Sequence, residues 1–155
     1  MLQALFVVLA GLLLVADRVT KAWAVHALAL GDPQPLLGNV VRLTRVHNAG
    51  GAFGVLAGRP TLFIAVSLVI AAIAVAAFVV LRRQSPWLRL ALVLVFVGAV
   101  GNVIDRLSVG YVVDFFEIVG FPVFNVADSC VTVGAVLLVL YAFLGGRRPS
   151  TSRES

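Results

Sequence analysis

A four-helix membrane bundle is the fold class this sequence predicts, and three observations predict it. Of its 155 residues, 61% are hydrophobic and only 12% are charged, a composition outside that of ordinary soluble domains. Residues 1–16, 60–81, 90–104 and 129–146 carry no charged side chain. The acids bordering these runs fall at particular edges: Asp17 follows the first, Asp105 follows the third and Asp128 precedes the fourth. Successive membrane helices alternate in direction, so these edges share one membrane face. Ionisable groups at membrane depth are costly and mark functional sites, which predicts a polar site near one interface.

A span needs roughly 20 mostly apolar residues to cross a hydrocarbon core of about 30 Å. The first span is expected at about 2–23, running through Asp17 and Lys21. No basic region precedes Leu2, so it reads as a retained helix and not as a cleaved leader. The second, 60–81, meets the length alone and opens on Pro60, which suits a first helical turn. The third, 87–107, follows Ser85-Pro86, an N-cap with proline at N1, and Arg89 is expected to snorkel to the interface. The fourth, 126–146, follows Asn125 as N-cap, with Asp128 at N3 poised for reciprocal capping. Residues 1–148 form one membrane domain on this reading, with a disordered tail at 149–155.

Between the first two spans, Gly31-Asp32-Pro33 and Gly38-Asn39 signal turns, and the β-branched run from Val40 to Val46 favours a strand. A small extracytoplasmic β element on the membrane surface is expected there. The glycines of Asn48-Ala49-Gly50-Gly51-Ala52-Phe53-Gly54 permit a close backbone approach. Between the third and fourth spans, Val112-Val113-Asp114-Phe115-Phe116-Glu117 reads as a short amphipathic interfacial segment.

The net charge of +5 does not imply a nucleic-acid partner, because the 12 basic residues are scattered through a membrane composition. Arg82, Arg83 and Arg89 crowd a short loop, and Arg147, Arg148 and Arg153 follow the last span. Arg42, Arg45 and Arg59 lie on the other side in a longer connection. The positive-inside rule then puts both termini in the cytoplasm and the acidic face outside. Cys130 is the sole cysteine, so neither an internal disulfide nor a Cys-rich metal site is expected.

Candidate chemistry is confined to a few side chains. Asp17 and Lys21 stand in the favourable i,i+4 order, which by itself also describes an ion pair closing the first span. Asn102 is within helical reach of Asp105 or Arg106, with Gly98 and Gly101 permitting close packing on the same helix. Asp114 lies in an apolar loop among valine and phenylalanine. Two carboxylates held close cannot easily both ionise, which is the basis of aspartic-protease chemistry. From the residues alone, the pair among Asp17, Asp105, Asp114 and Asp128 stays open. No H-E-x-x-H is present, and Ser129 and Cys130 have no nearby base, which disfavours zinc, serine and thiol mechanisms. An ion- or proton-coupled carrier is the alternative class; acids at one edge, and not through the bilayer, count against it.

Five segments in order then resemble the lipoprotein signal peptidase (signal peptidase II) family. They are Asp17-Arg18-Val19-Thr20-Lys21, Asn48 to Gly54 as quoted above, Gly98-Ala99-Val100-Gly101-Asn102-Val103-Ile104-Asp105-Arg106, Val112-Val113-Asp114-Phe115 and Phe124-Asn125-Val126-Ala127-Asp128-Ser129. The resemblance implies a four-helix aspartic endopeptidase of the bacterial inner membrane that removes signal peptides from prolipoproteins, cutting before a diacylglyceryl-modified cysteine. It implies Asp114 and Asp128 as the catalytic pair. Asn48, Asn102, Arg106, Asn125, Asp17 and Lys21 would line the site, and Asp105, Gly98 and Gly101 would support it. It also implies lipidated prolipoproteins and membrane lipid as partners, peptide-like inhibitors bound at the pair, and no cofactor or metal. Ala16, Gly51 and Val97 depart from the family's usual leucine, alanine and glycine.

Overall fold

The computed structural model describes residues 2–50, 59–81 and 83–145. Gly51 and the glycine-rich stretch to Gly54, together with Arg82, Arg147, Arg148, Arg153 and the tail at 149–155, lie outside the described residues. The order is α1 (Leu2–Ala27), β1 (Gln34–Leu37), β2 (Val41–Asn48), α2 (Pro60–Val80), α3 (Pro86–Val109), β3 (Val112–Ile118) and α4 (Val126–Gly145). All four helices are long and apolar enough to cross a membrane, with mean hydropathies from 2.0 to 3.0. Their ends follow local chemistry. Pro60 opens α2, Ser85 Oγ accepts from Trp87 N at the start of α3, and Gly110, at φ 85°, ends that helix in the left-handed region.

Helix α3 is central. Sixty-seven per cent of its most apolar stretch is buried, against 11–17% for the other three, and it packs on all of them. Lipid tails are as apolar as leucine, so close van der Waals packing, and not exclusion of water, holds such helices together. Small residues allow the approach. A Cβ on Gly98 would overlap Ala127 O and Val131, and one on Gly134 would sit 2.9 Å from Ala91 O. Gly98→Ala is therefore expected to cost about 1–3 kcal/mol, the range for overpacking. Gly98→Val should cost more and displace the start of α4, where Asp128 lies. Thermal unfolding in detergent, paired with peptide cleavage, measures both.

One apolar core joins Phe6, Val93, Leu94, Val97 and Cys130; a second joins Ala24 and Leu28 to Phe115 under the sheet. Outward residues such as Leu12, Ile73 and Phe143 stay exposed, as lipid-facing residues do. The sheet is antiparallel in the order β1-β2-β3, with Gly38 at φ 55° in the turn between its first two strands.

Four expectations change. The segment at 112–117 is no separate interfacial piece: β3 pairs with β2, Asp114 opposite Val46 and Val112 opposite Asn48. Its β-branched and aromatic residues fit a pleated surface, and the edge of β2 satisfies its backbone. Helix α1 continues past the expected end at about 23 to Ala27, with Asp17 and Lys21 buried within it as the span through them implies. Arg89 does not snorkel; it is 3% exposed, its guanidinium 4.9 Å and 4.7 Å from the ring centres of Phe6 and Phe78. Asn102 turns away from Asp105 and Arg106 to the partners given below.

Candidate active site

The start of α4 builds the first half of the site. Asn125 Oδ1 accepts from Asp128 N at 2.8 Å, and Asp128 Oδ2 accepts from Asn125 N at 3.3 Å. This is the reciprocal cap the spacing predicts. It leaves Asn125 Nδ2 free to donate elsewhere, and that group reaches Asp114 Oδ1 at 2.6 Å. Asn125 thus bonds both carboxylates, Asp114 from its side chain and Asp128 from its backbone N–H.

Strand β3 supplies the second half. Asp114 is 1% exposed between buried Val113 and Phe115. Asn48, at the end of β2, donates from Nδ2 to Asp114 Oδ2 at 2.9 Å and accepts from Gly50 N at 3.0 Å. Burial pushes the Asp114 carboxyl up to about 7, with the charge of Asp128 acting the same way. The hydrogen bonds from Asn48 and Asn125 and the charge of Lys21 offset part of that rise.

Beneath the pair lies an ionic lattice. Lys21 Nζ sits 3.0 Å from Asp17 Oδ2 and 2.8 Å from Asp105 Oδ2, and donates to Asn102 Oδ1 at 3.1 Å. Asn102 Oδ1 also accepts from Asn125, which fixes the amide so that its Nδ2 donates to Asp128 Oδ1 at 2.7 Å. Asp17 Oδ1 accepts from Ala127 N at 3.0 Å, and Asp105 Oδ2 from Val113 N at 3.2 Å. Each of these acids therefore holds the backbone immediately before a member of the pair. A Cβ on Gly101 would stand 3.0 Å from Asp17 Oδ2, so the contact between α1 and α3 depends on glycine there.

Arg18 is the residue that sequence reasoning missed. It donates to Asp17 Oδ2 and Asp105 Oδ1, each at 2.5 Å, and to Gly101 O at 3.0 Å. Neighbours i and i+1 on a helix do not face each other, so Asp17-Arg18 gave no local signal. A basic residue amid an apolar helix, with no acid at i+3 or i+4, was the available clue that a partner waits on another helix. Four carboxylates, Asp17, Asp105, Asp114 and Asp128, are held here among three cations, Lys21, Arg18 and Arg106. In a medium that penalises net charge, uptake of one proton by these carboxylates would restore balance.

A cavity of about 560 Å³ opens beside Asp128, walled by α2, α3, α4 and the loop before α4. Asn48, Gly50, Asn102 and Arg106 give it a polar end; Phe63, Ile70 and Val131 make the remainder apolar. Arg106 donates to Gly50 O at 2.9 Å and lies 4.9 Å from the Phe63 ring centre. Among the described residues, no three His, Cys, Asp or Glu side chains converge as a metal-ligand set. Cys130 is buried in the core.

The family described as signal peptidase (SPase) II matches residues 9–144. A lipoprotein signal peptidase of Moorella thermoacetica is 40% identical over 148 residues, 93% of this chain and 99% of the relative. One of Brevibacillus brevis is 40% identical over 145 residues, 92% and 97% of the two chains. A solved bacterial membrane enzyme superposes with a TM-score of 0.85 at 29% identity, covering 98% of this chain and 94% of its own. A second gives a TM-score of 0.81 at 31% identity, covering 92% and 94%. These likenesses span both the ionic lattice and the paired carboxylates, and they disfavour a carrier: the chain belongs to the signal peptidase II family, membrane proteases of lipoprotein processing.

Proposed function

We propose that Asp114 and Asp128 are the catalytic pair of an aspartic endopeptidase that cuts prolipoproteins just before a diacylglyceryl-modified cysteine. The observation that carries this reading is one asparagine, Asn125, bonded to two carboxylates from separate elements, one of which, Asp128, lies in the wall of a mostly apolar cavity with a polar end. Asp128 is the ionised member. It sits in the first turn of α4, where the positive helix end favours an anion, and it faces the cavity. Asp114, its carboxyl raised, is the protonated member.

In the reaction, Asp128 takes a proton from a water molecule as that water attacks the scissile carbonyl carbon. Asp114 donates its proton to the carbonyl oxygen, giving a neutral tetrahedral diol. Collapse of the diol re-forms the carbonyl and expels the cysteine's amine, which takes the proton held by Asp128. The proton on the diol returns to Asp114. Asn48 and Arg106 hold the extended substrate backbone. Lys21, Asp17 and Asn102 position the pair, and Asp105, Gly98 and Gly101 are scaffold. Positioning of this kind matters because small misplacements of reacting groups cost large factors in rate. Peptide-like inhibitors of the family bind at the pair.

The test is purified full-length protein and a lipidated lipoprotein-precursor peptide, with cleavage products mapped by mass spectrometry. A cut immediately before the modified cysteine is expected, unaffected by chelator and largely retained in Cys130→Ala and Ser129→Ala. Loss of activity in a well-folded Cys130→Ala chain would revive a thiol mechanism.

The same reading places residues 1–148 as one peptidase domain in the bacterial inner membrane, both termini cytoplasmic and the pair near the outer face. Arginine asymmetry supports it. Cysteine introduced at Ser85 should be labelled only from inside, and one at His47 only from outside. Outside labelling at Ser85 sinks this topology.

A further inference from the structure

Away from the carboxylates, a second cavity of about 190 Å³ runs between α1, α2 and α3. Phe6 and Ala10, Ala74 and Phe78, and Val93 and Phe96 form its three walls. Its lining is almost wholly apolar. Such a groove alone is what any lipid-facing bundle presents. The difference lies at its end. The guanidinium of Arg89 stands over both Phe6 and Phe78, one helical turn before Val93. Arg89 is only 3% exposed, and its Nε and Nη2 have no hydrogen-bond partner among the described residues.

A buried cation with unpaired donors is costly, so an acceptor is needed, and no acid among the described residues lies at this end. Every acid among the described residues, Asp17, Asp32, Asp105, Asp114, Glu117 and Asp128, belongs to the opposite half of the helices or to the sheet and its loops. Local charge is positive, Arg83 adding to Arg89. Trp87, 66% exposed, sits two residues earlier on α3, and tryptophan prefers the level of lipid headgroups. At about 1.5 Å of rise per residue, Arg89 lies roughly 3 Å deeper, within reach of a phosphate at that level.

We propose that this groove binds one anionic phospholipid of the leaflet remote from the carboxylate pair, its phosphate on Arg89 and an acyl chain along the wall of Val93 and Phe96. The phosphate supplies the charge-assisted partner that Arg89 lacks, and the chain fills a groove that α1 and α2 leave open over α3. Reaching the donors requires Phe6 or Phe78 to turn aside, a ring movement at the mouth of the groove. The site is independent of the peptidase reading and stands or falls without it.

Native mass spectrometry of the full-length protein decides the matter, with dioleoyl phosphatidylglycerol and dioleoyl phosphatidylcholine offered in equal amounts. The wild-type chain is expected to retain a single lipid and to prefer the anionic one roughly fivefold, the factor expected of one cation near anionic lipid. Arg89→Met should abolish the preference and Arg89→Lys should keep most of it. Val75→Trp fills the groove from a position that is 47% exposed and leaves Arg89 in place; it should lose the bound lipid, and it decides the case alone if Arg89→Met fails to fold. No preference in the wild type, or an unchanged preference in either Arg89→Met or Val75→Trp, overturns the proposal.

Discussion

Asp114→Asn and Asp128→Asn should each bring cleavage of a lipidated peptide to background while leaving a folded protein. An amide can neither take the proton from water nor return one to the carbonyl oxygen, and general acid–base groups contribute about 10²–10⁴ in rate each. The two variants part company in stability. Folded Asp114 keeps its proton up to about 7, whereas the unfolded chain releases it near 3.8. Folding therefore takes up a proton between those values, and stability declines as pH rises across that window. Asn removes the cost of burying a second negative charge but turns an amide donor onto Asn48 or Asn125, so Asp114→Asn should be dead and its melting point should lose the wild type's decline with rising pH. The wild-type rate should fall as pH rises through about 7, because ionised Asp114 leaves the pair without its acid. A well-folded Asp114→Asn chain that still cleaves would move the dyad elsewhere. Asp105→Asn is the comparison to run beside it: lowered stability or activity is expected, since it loses charge against Lys21 and Arg18 but can still accept from Val113 N.

The second large effect is on substrate. A precursor whose cysteine carries diacylglycerol should be cut, and the same peptide without lipid should be ignored. The cavity proposed to take the peptide carries Asp128, Asn48, Asn102 and Arg106 at its polar end, and Ile70, Val131 and Val133 are among its apolar walls. Acyl chains anchor the peptide in the bilayer, each methylene withdrawn from water contributing about 0.8 kcal/mol, and so set the depth of the peptide bond beside those walls. Several methylenes thus outweigh any single backbone hydrogen bond, worth about 0.5–1.5 kcal/mol. Turnover of matched lipidated and unlipidated peptides in detergent measures the difference. Equal rates mean that the lipid is not read and that the enzyme is a broader intramembrane peptidase.

What the sequence determined by itself is local. The four spans follow from long apolar segments, of which 60–81 crosses the bilayer without a charge and the others run on past Asp17, Arg89 or Asp128, and the ends of α2 and α3 from Pro60, Ser85 and Gly110. The Asn125–Asp128 cap spans four residues and was legible as written. The resemblance pointed at Asp114 and Asp128, but the residues alone left four acids as candidates. Tertiary structure decided the remainder, because those contacts join residues far apart in the chain. Asn48 meets Asp114 across 66 positions and Asp17 meets Ala127 across 110. No periodicity or propensity encodes such a pair. It also turned 112–118 into a strand, by offering the free edge of β2, and drew Arg18 into a lattice its helix neighbours did not foretell. Arg89 shows the limit most clearly: a charged side chain near a span end defaults to water, and only the aromatic rings of two other helices could bury it.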